Sequence, residues 1–152
     1  MRPIKIAFAS KLDHAEKILA AQREGFHFIS RWLYMGQASK KVAKPASHWL
    51  EENFEDIKSA DYVICYAEHV ESSINDALEG EVLKTALVEV GWAMAWGKPV
   101  ICIGNHESYR PWRAASHRVT TMPSLAAAIT YIKTRHSTPK LVLNSNGDTV
   151  VA

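Results

Sequence analysis

The chain has 152 residues, 47% of them hydrophobic and 22% charged, with a formal net charge of +2. That length and apolar content fit one globular domain spanning 1–152, with a core of its own, and argue against a second. The charge is too small to call for nucleic acid or a membrane surface as partner, no apolar stretch reaches bilayer length and no signal pattern opens the chain, so a soluble cytoplasmic protein is expected.

Ile4–Ala9 is a short apolar run between Pro3 and Ser10 and predicts a strand. The polar stretch Asp13–Glu24, stopped by Gly25, predicts a helix, and Phe26–Ser30 a second strand. Arg31–Ala46, with Gly36 and Pro45 inside it, reads as a loop in which Lys40, Lys41 and Lys44 are solvated. Ser47 suits the N-cap of a helix whose stripe is Leu50, Phe54 and Ile57 and which ends near Ser59. Tyr62–Tyr66 follows as the third strand, and the polar, acidic and aperiodic His69–Gly80 predicts a loop over an active site. Thr85–Trp96 predicts a helix stopped at Gly97, with Pro99 beyond it, and Val100–Ile103 a buried strand ending in Gly104-Asn105. Val119–Met122 is the fifth strand, Pro123-Ser124 opens a last helix to about Lys133, and the tail from about 134 to 152 has a hairpin pattern around Asn146-Gly147. Cys65 and Cys102 each sit inside an apolar strand, which predicts buried free thiols.

Strands alternating with helices, with continuously apolar strands, predict a parallel sheet covered on both faces. Ligands of such sheets lie outside the carboxyl ends of the strands, which selects Ser10-Lys11, Ser30-Arg31-Trp32, Ala67-Glu68 and Gly104-Asn105 as the site edge.

Glu89 is the one charged side chain of the helix Thr85–Trp96. At about 100° per residue its neighbours on the wheel are Thr85, Ala86, Trp92, Ala93 and Trp96, so it is not on a charged solvent face. It either finds a gap to solvent, complements the positive helix start, or faces a cavity where it must be paired or protonated. A lone carboxylate among aromatic, hydroxyl and amide groups suits attack on an anomeric carbon, because an anion stabilises the oxocarbenium-like transition state. Trp32 could stack a flat base or serve as a core aromatic, and Asn53 or Asn105 could hydrogen-bond base or sugar. Arg31 or Lys11 could hold a 5′-phosphate or be ordinary surface charge. Seven scattered histidines show no zinc spacing, and neither a Gly-x-Gly-x-x-Gly motif nor a Gly-x-Ser-x-Gly elbow is present. No metal or cofactor is expected.

The segment Ala86-Leu-Val-Glu-Val-Gly-Trp-Ala-Met-Ala-Trp-Gly-Lys-Pro-Val-Ile-Cys-Ile-Gly104 resembles the "Glu-x-Gly-x-Ala, Gly-Lys-Pro-Val, Gly" core of the nucleoside 2-deoxyribosyltransferase family, with its related nucleotide N-hydrolases. Ile4–Ser10 resembles the family's first strand, Ser30–Leu33 a tag after the second, and Asn53–Asp61 the segment before the third, so the resemblance spans about 4–133. It implies a flavodoxin-like or Rossmann-like α/β fold, a five-stranded parallel sheet sandwiched by helices. It also implies cleavage of the N-glycosidic bond of a (deoxy)nucleoside or its 5′-monophosphate with Glu89 as nucleophile, the sugar passing to a base or to water. The substrate-binding set would be Ser10, Lys11, Arg31, Trp32, Asn53, Thr85 and Asn105. The chain departs from the family at Asn53, where a second acid is usual and where an amide cannot act as general acid, at Thr85 in place of glycine, and at Leu83 in place of aspartate. Glu68, Glu71 or Asp76 could replace the missing acid. Asn53 and Thr85 favour the alternative, a non-catalytic nucleotide sensor with the same pocket. Trp49, Trp92, Trp96 and Trp112 exceed what one small core needs, and with the family resemblance they predict a homo-oligomer, dimer or higher.

Overall fold

The computed structural model describes residues 2–11, 14–35, 46–66, 86–104, 110–115, 117–137 and 141–151. Strands β1 (Ile4–Ala9), β2 (Phe26–Phe28), β3 (Tyr62–Tyr66), β4 (Val100–Ile103) and β5 (Val119–Met122) form one sheet in the order β2-β1-β3-β4-β5. Every neighbouring pair is parallel, with Ile6 opposite Tyr62 and Cys65 opposite Cys102. The helices are α1 (Ala15–Ala20), α2 (Ala46–Ser59), α3 (86–95), α4 (Arg110–Ala115) and α5 (Leu125–Ser137), with a 3₁₀ turn at Arg31–Tyr34. The chain therefore has the parallel sheet expected of its strand and helix alternation, in the flavodoxin-like α/β arrangement that the family resemblance implied. Among the described residues no helix is long and apolar enough to cross a membrane.

Side-chain size differs between the sheet's two faces. Ile6, Phe8, Ile64, Ile101 and Ile103 fill one face together with Ile18 of α1, Trp32 and Ile129 and Ile132 of α5. Ala7, Ala9, Val63, Cys65, Val100 and Cys102 cover the other, under Ile57 of α2 and Ala86, Val90 and Ala93 of α3. Small residues on the second face let α2 and α3 approach the sheet closely, as close packing of an interior requires. Both cysteines are buried and neither forms a disulfide.

Several boundaries differ from the pattern in the sequence. Helix α1 stops at Ala20 rather than Glu24, because Ala21 and Gln22 turn back onto Ile18 and Leu19 and Arg23 Nη1 takes the carbonyls of Ala20 and Gln22. Strand β2 ends at Phe28, and Ser30 Oγ instead accepts the amide of Phe8 at 2.8 Å. Helix α2 already includes Ala46, so Ser47 lies within it instead of capping it. Ser124 caps α5, its Oγ accepting Ala127 N–H at 3.1 Å, and that helix runs on to Ser137. Helix α4 had no apolar period to announce it; its Trp112 packs against Gly91, where a Cβ would come within 3.4 Å of the ring. Beyond α5, β6 (Leu141–Leu143) and β7 (Thr149–Val151) pair antiparallel around a turn held by Asn144 Oδ1, which accepts the amides of Asn146 and Asp148. The expected loop His69–Gly80 lies outside the described residues.

Helix α3 ends in a Schellman motif: Gly97 N–H donates to Met94 and Lys98 N–H to Ala93, with Gly97 at φ +69°. A side chain there would meet the left-handed backbone penalty, and its Cβ would stand 2.8 Å from Arg118 Nη1. Gly97→Ala should lower the unfolding free energy by about 1–2 kcal/mol, measured by urea denaturation.

Candidate active site

Glu89 lies three residues past Ala86, near the start of α3, and its side chain faces α2. The residue is 6% exposed. Its Oε1 accepts a hydrogen bond from Asn53 Nδ2 at 3.1 Å. Burial pushes the Glu89 carboxyl up to about 7, and the Asn53 amide, which favours the charged form, pulls it only part of the way back. The carboxyl is thus divided between acid and anion near neutral pH. Asn53 Oδ1 is itself buried and meets no hydrogen-bond donor among the described residues. A buried acceptor left so is costly, and a ligand N–H or O–H beside Glu89 would relieve it.

Ser10 joins the carboxyl ends of β1 and β3. Its hydroxyl donates to the Tyr66 carbonyl at 2.5 Å, and because a carbonyl can only accept, the same oxygen must accept from His14 Nδ1 at 2.9 Å. That arrangement places the proton of the neutral imidazole on Nδ1. His14 is 3% exposed, lies edge-on to Tyr66 with centroids 4.9 Å apart, and sends its own amide to the Lys11 carbonyl at 3.0 Å. In the strand order 2-1-3-4-5 the crevice opens where β1 and β3 adjoin and their outgoing connections diverge. Ser10, Lys11 and His14 stand at that point. His14 was not foreseen from sequence, since only its spacing of four from Ser10 across a strand end hints at a pair.

Arg31 and Trp32 are placed differently. The Arg31 amide and Nε each bond an oxygen of Asp56 at 2.9 Å, and Nη2 bonds Glu55 Oε2 at 2.9 Å and the Glu52 carbonyl at 3.1 Å. A phosphate at Arg31 would have to displace these carboxylates. Asp56, also missed in the sequence, is 7% exposed, and burial raises its pKa against the lowering effect of Arg31. Trp32 is 7% exposed, donates Nε1–H to the Phe8 carbonyl at 3.2 Å, and belongs to the core on the sheet face opposite α3. Thr85, Asn105, Glu68, Glu71 and Asp76 lie outside the described residues. Among the described residues no cluster of His, Cys, Asp and Glu could hold a metal ion.

No family model and no curated protein sequence matches the chain. Its structure is similar to that of the Clostridium botulinum CMP N-glycosidase BcmB, with a TM-score of 0.52 and 16% identity over 86% of this chain and 98% of that one. The two share a fold. At that identity the likeness carries the architecture, and the roles of individual side chains rest on the geometry above.

The Glu89 environment has a thermodynamic signature. The folded carboxyl holds its proton up to about pH 7, against an ordinary value of 4.5, so its contribution to stability is fullest at low pH and is lost as pH rises through that window. Glu89→Gln should remove this decline, a difference of roughly 3 kcal/mol between wild type and variant from end to end. Urea unfolding at a series of pH values measures it, and parallel curves for the two proteins would mean that the carboxyl is not desolvated.

Proposed function

We propose that the chain breaks the N-glycosidic bond of a (deoxy)nucleoside or nucleoside 5′-monophosphate, with Glu89 as the nucleophile. The observation that carries this reading is the carboxylate of Glu89, buried between two helices near the carboxyl edge of the sheet and bonded to one neutral amide donor. The activity of its structural neighbour, a CMP N-glycosidase, supports the same chemistry.

Ionised Glu89 attacks C1′ while the bond from C1′ to the base nitrogen breaks, and that bond's electron pair leaves with the base. Desolvation strengthens the attraction between the carboxylate and the cationic sugar of the transition state. Asn53 holds Oε1 in place and offers Oδ1 to a sugar hydroxyl or a base N–H; being an amide it transfers no proton, and the leaving nitrogen takes its proton from water. Water or a second base then attacks C1′ of the glycosyl ester and releases the carboxylate. Ser10, Lys11 and His14 line the crevice on the β1 side. The exposed Leu50, Phe54 and Val88 on α2 and α3 support assembly as a homo-oligomer.

Free base is measured by chromatography after incubation with a panel of nucleosides and 5′-monophosphates, with and without an acceptor base. Glu89→Ala should cut release by roughly a thousandfold or more. Dependence on acceptor separates transfer from hydrolysis. In the wild type kcat/KM should rise with pH through about 7 as Glu89 ionises, and Asn53→Leu should move that limb to higher pH by removing the donor that favours the anion. Ligand-induced thermal stabilisation without base release from any panel member would instead assign the chain as a nucleotide sensor, the reading that an amide at Asn53 also favours.

A further inference from the structure

The bond between α2 and α3 uses only one end of the Asn53 carboxamide. A carboxylate can only accept, so the amide nitrogen is the end that faces ionised Glu89, with Nδ2 3.1 Å from Oε1. The reversed amide would set Oδ1 against the carboxylate, acceptor against acceptor. Oδ1 is therefore the other corner of the same planar group, beside the carboxylate and not bonded to it. It is buried, and among the described residues no donor reaches it. Asn53 is not at liberty to move toward one, because Asp56, one turn further along α2, is held by the Arg31 amide and Nε at 2.9 Å each. A buried acceptor left unpaired is costly, so the group that relieves it is a hydrogen-bond donor arriving with the ligand.

The stereochemistry of a nucleoside selects that donor. In a β-nucleoside the base stands on one face of the furanose ring, and a carboxylate that displaces it must approach C1′ from the other. Ribose carries its 2′- and 3′-hydroxyls on that second face, the 2′-hydroxyl on the carbon next to C1′. With C1′ at the Glu89 carboxylate, the N–H groups of the base lie across the ring from Asn53, and the 3′-hydroxyl is one carbon further off. The 2′-hydroxyl is the donor nearest the carboxamide. In a 2′-deoxyriboside the same carbon carries only hydrogen, and nothing on the sugar next to C1′ can pair with Oδ1.

We infer that Asn53 Oδ1 accepts the 2′-hydroxyl of the substrate and so makes the chain selective for ribosides over 2′-deoxyribosides. The inference rests on the N-glycosidic reading, because the seating of C1′ at Glu89 is what brings that hydroxyl to Asn53. A riboside satisfies the buried acceptor, whereas a deoxyriboside leaves it unpaired. One amide then serves two ends: Nδ2 positions the nucleophile and Oδ1 reads the sugar. As positive charge develops at C1′ the neighbouring hydroxyl becomes a stronger donor, so the bond tightens toward the transition state and the selectivity enters kcat as well as binding.

The test measures kcat/KM for base release from AMP, GMP, CMP and UMP beside the 2′-deoxyribose and arabinose form of each, in wild type and Asn53→Leu. Loss of Nδ2 weakens Glu89 for every sugar alike, so the ratio between sugars isolates Oδ1. The ribose-to-deoxyribose ratio should fall by about tenfold or more in the variant, the effect of one buried acceptor losing its donor. Arabinosides, whose 2′-hydroxyl lies on the face of the base, should behave as the deoxyribosides do. If Asn53→Leu does not fold, Asn53→Ala takes its place. Calorimetry gives a readout without turnover: wild type should bind ribose 5-phosphate about tenfold more tightly than 2-deoxyribose 5-phosphate, and the variant should bind them equally. Base release that depends on Glu89, with the same sugar ratio in wild type and folded variant or with arabinosides matching ribosides, overturns this inference and leaves the activity standing. No release from any nucleotide, with a preference for ribose 5-phosphate that Asn53→Leu abolishes, overturns the activity and leaves the sugar contact standing. Neither release nor a difference between the two sugar phosphates overturns both.

Discussion

The hydrogen bond from Asn53 to Glu89 is the constraint on which the candidate site depends. Taking a carboxylate out of water costs several kcal/mol, and one neutral amide offsets only part of that cost. The carboxyl responds by holding its proton up to about pH 7. Its position therefore relies on the two helices being kept together by other means. Arg31 supplies one of them, binding Asp56 and Glu55 through its amide and guanidinium and so fixing α2 to the segment after β2. Asp56 lies one helical turn from Asn53, so the clamp also sets the height at which Asn53 meets Glu89. On this view Arg31 serves the site by positioning α2.

The sheet supplies the other. Ala7, Ala9, Cys65 and Cys102 present little bulk on the face that α2 and α3 cover, whereas isoleucine and phenylalanine fill the opposite face. Thin packing brings both helices down onto the strands, and Ala86, Val90 and Ala93 continue the same close approach from the α3 side. The Schellman end at Gly97 stops α3 in time for Lys98 and Pro99 to lead into β4, which fixes where along its axis Glu89 stands. At the adjoining strand ends Ser10 ties β1 to β3 through the Tyr66 carbonyl, leaving a polar wall where the strand order reverses.

Much of this was legible in the sequence. Five apolar runs alternating with helix patterns prescribe the parallel sheet, and a single charge on an otherwise apolar helix singles out Glu89. Periodicity fails where side chains replace backbone partners. Ser30 shortens β2 by accepting an amide that a strand would have served, and Arg23 ends α1 early by taking its last carbonyls. Residue type alone also cannot separate two uses of the same group. Trp32 is as suitable for stacking a base as for filling a core, and its burial, its bond to the Phe8 carbonyl and the packing of its 3₁₀ turn on α1 make it a core residue. Arg31 could equally have met a phosphate, but Asp56 and Glu55 occupy it, and their approach depends on the register of α2, which no local pattern encodes.

The buried glutamate also sets stability against the proposed activity. The folded chain is favoured when Glu89 carries a proton, because the neutral acid avoids the desolvation cost, yet only the anion can attack a sugar carbon. Raising the pH through about 7 ionises Glu89, and that one ionisation weakens the fold and generates the anion that the proposed function requires. A stronger donor than Asn53 would ease the conflict by stabilising the anion, but it would also lower the reactivity of the carboxylate it bonds. An amide is a compromise: it orients Oε1, favours the charged form modestly and adds no charge of its own. The Arg31 clamp, the small-residue face and the Gly97 cap lie away from the reacting atoms, where they can offset the cost of the ionised site without blunting its chemistry.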